Sequence, residues 1–335
     1  MSARILIAGF GSVGRSHFRN LRSLGVQEFV FFRSHRGALE DIETAGWPST
    51  TDLDEALAMK PTVAVVSNPT ALHVAVALKV AKSGCDLFVE KPLSHTREGS
   101  QELLDVVDDR ELVAMVGYQF RFHPLLRSLK EQVDAGRLGA VVSARAEWGE
   151  YLPAWHPWED YRESYSARKD LGGGVILTLS HTLDYLYWMF GPVADIQASV
   201  RKIDALKTEV DDDVAAIMLN FETGVLASVH LDYVQRPPKH RLSVLGEDGC
   251  AKLDFHAGKL DWVEPDGATD QEVVPAAFER NTLFNDEMRH FLAAVAQRTA
   301  PLIPLREGYA VMDIALLAME SAQENVRGRT AAHAN

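Results

Sequence analysis

The sequence predicts an α/β protein in two parts. An N-terminal doubly wound parallel sheet comes first, then an α/β region with a large, open, mostly antiparallel sheet. Three observations carry this. Short apolar runs alternate with amphipathic helical stretches over roughly the first third of the chain. A spaced set of three glycines sits between the first apolar run and the first helical stretch. After the midpoint, strand-like runs follow one another with turn residues between them.

Taken in order, Ile5-Leu-Ile-Ala8 reads as a buried strand, and the stretch after Gly14 reads as a helix with Val13, Phe18, Leu21 and Leu24 on one side. Phe29–Phe32 is a second strand. Asp52–Met59 is a short helix, with Asp52 and Glu55 spaced as a capping box. Thr62–Val66, Asp86–Val89 and Leu112–Val116 are strands, separated by helices over Leu72–Ser83 and Thr96–Asp108. Such alternation implies parallel strands joined by right-handed crossovers. The pattern changes near Gly117, so a boundary is expected near residue 120, giving domains 1–120 and 121–335. Beyond it, Pro124–Ala135 looks helical and Ala140–Glu147 extended. A long aromatic loop leads to one helix over Val175–Phe190. Five strands are expected at Ile196–Ile203, Asp213–Phe221, Gly224–Tyr233, His240–Gly246 and Gly249–Phe255. Two helices, Phe278–Gln297 and Glu307–Asn325, close the chain, and the tail from Arg327 looks loose.

Composition narrows the function. The chain has 335 residues, 47% apolar and 24% charged, with a net charge of −13. That length supports two cores, and the charge disfavours nucleic acid or an anionic membrane as partner. Two cysteines, Cys85 and Cys250, read as reduced thiols. No leader and no apolar run of about 18 residues is seen, so a soluble cytoplasmic protein is expected.

Gly9-Phe10-Gly11-Ser12-Val13-Gly14 follows a strand and opens a helix at G-x-G-x-x-G spacing. Gly9 lets the chain turn, Gly11 leaves a pyrophosphate room against the backbone, and Gly14 lets helix and strand pack closely. The helix N-terminus supplies free N–H groups and a favourable dipole. This is the Rossmann dinucleotide-binding pattern. About 20 residues further on, a carboxylate would hold the 2′-hydroxyl of NAD. The sequence there is Arg33-Ser34-His35-Arg36, with two guanidiniums and no acid. A carboxylate would repel a 2′-phosphate and Arg33 can pair with it, so NADP is expected over NAD.

Glu90-Lys91-Pro92 ends the fifth strand, at the carboxyl edge where doubly wound sheets bind ligands. Together with Asn68-Pro69-Thr70-x-x-His73, Gly117-Tyr118-Gln119-Phe-Arg121-Phe-x-Pro124 and Gly172-Gly-Gly174-(x)6-His181-x-x-Asp184, it resembles the glucose–fructose oxidoreductase/inositol dehydrogenase/MocA family over essentially the whole chain. The resemblance implies hydride transfer to or from a C–H of a sugar, sugar acid, cyclitol or nucleotide sugar. It implies oligomerisation, as a homodimer or homotetramer, through the open sheet, and it allows a cis Lys91–Pro92 peptide. It places Asn68, Pro69, Thr70, His73, Glu90, Lys91, Pro92 and Gln119 beside the cofactor. Lys91, His181 and Asp184 become the candidate catalytic residues, with Tyr118 and Arg121 near the substrate. One departure stands out: the family has an Asp four residues before the His, and here that position is Leu177. A Lys partly buried beside a positive nicotinamide ring is expected to have a lowered pKa and to be able to exchange protons with an alcohol. Without an acid at 177, His181 is expected to carry the proton, its ordinary pKa being near neutrality, with Lys91 orienting and polarising the oxygen and Asp184 in support or structural.

The loop 148–169 is rich in aromatics and cations. Trp155, His156, Trp158, Tyr161, Arg162, Tyr165 and Arg168 are read as substrate contacts for an anionic sugar, aromatic faces stacking on C–H surfaces and cations pairing with acid groups. An interface or a tryptophan-pinned lid is the alternative for this loop. Glu287-Met-Arg-His290 has metal-ligand spacing but no companions, so a solvated helix face and no metal are expected. Leu177 keeps a second function open, a catalytically silent sugar- or dinucleotide-binding regulator. A reductase of imines or other carbonyls is a third.

Overall fold

The computed structural model describes residues 3–34 and 42–324; Arg36 and the tail from Arg327 lie outside the described residues. The first sheet has strands β1 (Arg4–Ala8), β2 (Glu28–Phe32), β3 (Ser49–Thr50), β4 (Val63–Val66), β5 (Asp86–Glu90) and β6 (Ala114–Gly117) in the order β3-β2-β1-β4-β5-β6, all parallel. Helices α1 (Ser12–Ser23), α2 (Leu53–Ala58), α3 (His73–Lys82) and α4 (Ser100–Asp109) make the crossovers. The order reverses between β1 and β4, the switch point where such sheets open a ligand crevice. Ile5, Leu6, Ile7, Val65, Phe88 and Val89 are fully buried, as continuous apolar strands covered on both faces must be. Asp52 caps α2, accepting from the N–H groups of Asp54 and Glu55. β3 has only two residues and carries no strand signal of its own.

After α5 (Pro124–Asp134), the second sheet contains β7 (Val141–Gly149), β8 (Val193–Arg201), β9 (Val214–Phe221), β10 (Leu226–Asp232), β11 (Lys239–Gly246), β12 (Gly249–Asp254), β13 (Lys259–Val263) and β14 (Thr269–Val273). Their order is β14-β13-β12-β11-β7-β10-β9-β8, antiparallel except for the central β7–β10 pair. The β13–β14 hairpin was not expected. The expected helix over 175–190 is broken into α6 (Val175–Thr178) and α7 (His181–Phe190). The break falls at Leu179–Ser180, so His181 opens a helix instead of lying inside one.

The last two helices, α8 (Arg280–Gln297) and α9 (Leu305–Glu324), return to the first sheet. Val116 donates its N–H to the Ile303 carbonyl, Asn20 and Asn281 exchange amide hydrogen bonds, and Arg298 pairs with Asp86 at 2.7 Å.

Candidate active site

A cleft of about 970 Å³ runs from the glycine loop to the aromatic loop. At one end the glycines divide the work. Gly9 has φ +96°, and a Cβ there would lie 2.4 Å from the Asn68 nitrogen; at Gly14 it would lie 2.3 Å from the Gly9 oxygen. Both are fixed by protein packing. A Cβ at Gly11 would meet no protein atom within 4 Å, because the space above it is the cleft. This geometry fits a dinucleotide pyrophosphate. Phe10 lies under two guanidiniums, Arg15 at 4.5 Å and Arg33 at 5.6 Å from its ring centre. Arg33 also donates to Ser49 Oγ at 2.9 Å. Among the described residues, the carboxylates lining the cleft are Glu90 and Glu150.

At the other end β5 delivers Glu90 and Lys91, and the Lys91–Pro92 peptide is cis. Lys91 Nζ donates to the Thr178 carbonyl at 2.5 Å, which ties it to the C-terminus of α6. Burial pushes the Lys91 amine down to about 8; the Arg280 charge adds to this, while Glu90 and Glu150 oppose it. His181 lines the same cleft, edge-on to Tyr118 and Phe120. Burial, then the charges of Lys91, His240 and Arg280, hold His181 well below the ordinary histidine range. The expectation that His181 titrates near neutrality is therefore corrected: it is held neutral, and Lys91 is the group with both protonation states within reach. His73 lies beneath, its ring nitrogens 2.9 Å from the Pro92 carbonyl and 2.7 Å from the Asn68 carbonyl, stapling the ends of β4 and β5.

The structure brings together Gly9, Phe10, Gly11, Ser12, Val13, Arg33, Ser34, Asn68, Pro69, Thr70, His73, Glu90, Lys91, Gln119, Trp155, His156, Tyr165 and His181 along the cleft. Gly14 and Pro92 stand just behind it. Three expected site residues are placed elsewhere. Arg121 is fully buried and grips Asp184 through Nε and Nη2 at 3.0 and 2.7 Å, with Nη1 on Glu307. Asp184 is thereby committed to a buried ion pair, whose loss of one partner typically costs about 3–5 kcal/mol. Tyr118 is buried with its hydroxyl towards Ser180 Oγ. Four members of the aromatic loop also miss the cleft. Trp158 is 57% exposed, Tyr161 donates to the Leu206 carbonyl, Arg162 pairs with Asp160 and Arg168 with Asp170. Leu177 packs in the core, and its neighbour Thr178 faces the cleft.

Residues that the sequence reasoning did not name as contacts add to the lining. Arg15 sits one residue past the glycine motif; Trp148, Glu150 and Tyr151 belong to the 148–169 loop already read as substrate-binding. Arg236 and Arg280 come from the β10–β11 connection and the start of α8. Arg236 stacks on Tyr151 at 4.1 Å. Nothing local in the sequence ties these two arginines to the loop; only the fold brings them there.

Residues 3–118 match the family described as "Oxidoreductase family, NAD-binding Rossmann fold", and residues 126–252 match the "GFO/IDH/MocA C-terminal domain". Relatives include a levoglucosan dehydrogenase from Pseudarthrobacter phenanthrenivorans, 26% identical over 67% of this chain and 65% of that one. A UDP-N-acetylglucosamine 3-dehydrogenase from Acidithiobacillus ferrooxidans is 27% identical over 74% and 73%. A D-xylose 1-dehydrogenase (NADP(+)) from Haloferax volcanii is 25% identical over 76% of each. A solved levoglucosan dehydrogenase in complex with NADH and L-sorbose superposes with a TM-score of 0.84 over 96% of this chain and 97% of that one, at 19% identity, a likeness of fold. The chain belongs to the GFO/IDH/MocA oxidoreductase family and carries its NAD-binding Rossmann fold. Among the described residues no helix is long and apolar enough to cross a membrane.

Proposed function

We propose that this oxidoreductase prefers NADP(H) and acts on a CH–OH group of an anionic, sugar-like molecule, with Lys91 exchanging the hydroxyl proton. The observation that carries the reading is the Lys91 amine, held at about 8 in a cleft that also presents an open glycine loop. A bound nicotinamide supplies the hydride acceptor or donor. Lys91 Nζ takes the substrate hydroxyl proton in oxidation and returns it in reduction. Neutral His181 orients the same oxygen by hydrogen bonding, and Thr178 fixes the lysine. Asp184 is a positioning residue, holding α7 through Arg121.

NADP preference is supported by Arg15, Arg33 and Ser34 around Phe10, where no described carboxylate would repel a 2′-phosphate. Arg36, outside the described residues, stays a candidate from the sequence alone. The anionic substrate is supported by Arg236 and Arg280 on the cleft wall, in place of Arg162 and Arg168. The aromatic faces of Trp148, Tyr151 and Trp155 suit the C–H surface of a sugar. A silent regulatory role has less support, because Lys91 and His181 meet in the cleft without an acid at position 177. A homodimer or homotetramer is supported by the exposed Met218, Leu226 and Leu245, which share the outer face of the second sheet. The test is calorimetric titration of NADPH and NADH, followed by turnover on a panel of sugars, uronates and nucleotide sugars. NADPH should bind more tightly, and Arg33→Asp should weaken it by about 1–3 kcal/mol. Equal affinities would remove the NADP reading, and a panel that reacts only with neutral sugars would remove the anionic one.

A further inference from the structure

Lys91 is backed by buried polar groups that none of the roles above uses. His17, on α1 and with no side-chain exposure, points Nε2 at Glu90 Oε1, 2.5 Å away. The other carboxylate oxygen, Oε2, accepts the Lys91 backbone N–H at 3.1 Å. Burial alone would favour a neutral Glu90, but the hydrogen bond that His17 donates opposes this, and the carboxyl lies below the usual range. Nε2 therefore carries the hydrogen towards Glu90, and Nδ1 is left as a buried acceptor with no hydrogen-bond partner among the described residues.

Helix α8 covers this spot. Phe284 meets the His17 ring at 6.1 Å and Phe291 meets Phe88 at 5.6 Å, while Phe88 itself lies 5.1 Å from His17. Positions 284, 287, 288 and 291 share one helical face, so Glu287 projects between those two contacts. Glu287 is fully buried, not on the solvated face its sequence suggested, and neither of its oxygens has a partner among the described residues. Its burial beside Glu90 and Asp184 keeps it protonated. Phe284 of the same helical face lies on the His17 ring and Glu287 senses the Glu90 charge, so an orphaned acceptor and an orphaned donor share one buried region, and buried polar groups of this kind are commonly satisfied by an ordered water.

We propose that Glu287, His17 and Glu90 form one buried hydrogen-bonded chain, linked by a water between Glu287 and His17 Nδ1, and that this chain positions the Glu90 carboxylate against Lys91. The inference rests on the reading of Lys91 as the proton-exchanging group. All three are positioning residues, acting through the lysine. Among the described residues, the groups facing Lys91 are Glu90 from its own strand, His73 from α3, Arg280 from α8, Glu150 from the connection after β7 and His181 from α7. Of these, Glu90 does most to keep the amine protonated. Without a donor at Nδ1, His17 can move its hydrogen there and turn a lone pair towards Glu90. A buried carboxylate stripped of its donor takes up a proton. The charge that supports the Lys91 cation is then lost, and the amine titrates lower.

The chain is tested without turnover, by acetic anhydride labelling of Lys91 against pH in the full-length protein, read by peptide mass spectrometry. Glu287→Leu and His17→Leu should move the labelling midpoint about one unit or more to acid. Glu287→Gln and His17→Gln keep a donor in place and should leave it at the wild-type value. A wild-type midpoint in Glu287→Leu, or an equal shift in Glu287→Gln, overturns the chain while leaving Lys91 its role. A wild-type midpoint at the ordinary lysine value overturns both. If the leucine variants do not fold, infrared difference spectra of wild type against Glu287→Gln at neutral pH decide it. A carboxylic acid band lost in the variant is expected, and its absence overturns the proposal.

Discussion

Lys91 and His181 line the same cleft, and their surroundings push both amine and imidazole towards neutrality. For Lys91 this brings the titration near working pH, at about 8; for His181 it removes the cation altogether. The sign follows directly. A neutral amine is the base for oxidation, so that direction should speed up as pH rises through about 8. A protonated amine is the acid for reduction, so that direction should slow over the same interval. Lys91→Ala should cost roughly 10²–10⁴ in turnover and erase this limb. The check is kcat against pH in both directions; a limb unmoved in Lys91→Ala would assign the proton to another group. The strand-end position of Lys91 already leads one to expect a lowered amine; what the motif does not report is how deeply His181 is buried, and it is that burial which moves the proposed proton-exchanging role from His181 to Lys91.

At the scale of elements, the strand–glycine–helix opening was the most legible part, because each glycine answers a local steric demand. The structure separates those demands. Gly14→Ala places a methyl 2.3 Å from the Gly9 carbonyl oxygen, which is backbone and cannot move cheaply. It should destabilise the fold, by about 1–3 kcal/mol as overpacking does. Gly11→Val adds its side chain to the cleft alone, so it should keep the wild-type unfolding temperature and lose dinucleotide binding. Thermal melts and NADPH titration on the two variants check the contrast; a Gly11→Val protein that binds normally would reduce the motif to a turn. The helix break before His181 was less legible. Gly174 opens α6 with φ +106°, where a Cβ would fall 2.2 Å from Asp212 Oδ1, and Asp212 caps the helix through the Ile176 N–H. That start at Val175 is where the sequence puts it; the break comes where Lys91 takes the Thr178 carbonyl and the Thr182 hydroxyl takes the Leu179 carbonyl, and periodicity in 175–190 cannot report a lysine from a distant strand end. The aromatic loop divides for a local reason: Arg162 and Arg168 find acids two residues away, so their charge is spent there.

At the scale of the molecule, the second sheet meets the first through a block of rings. Phe120 contacts Trp148, His181, His240, Phe255 and His123, and His123 also packs on Phe278 ahead of α8. These residues come from every part of the chain after 117, so a reading by local pattern assigns them to separate elements and sees no block. The block has a consequence for acid stability. Burial pushes His123 down to about 4, and the ring has 2% exposure, with Phe120, Phe255 and Phe278 around it. In the unfolded chain it takes a proton near pH 6.5. Between those values the unfolded state binds a proton that the folded state refuses. The stability from neutral burial is thus complete above about 6.5 and is lost as pH falls towards 4, at about 1.4 kcal/mol per unit. Other buried groups titrate over the same range with either sign, so the whole curve is not diagnostic, but a difference is. His123→Phe keeps the ring packing and removes the titration. Its stability relative to wild type should rise by on the order of 3 kcal/mol between pH 7 and pH 4. Urea unfolding of both proteins across that range measures it, and a constant difference would mean that His123 is protonated in place, with the ring block open to water.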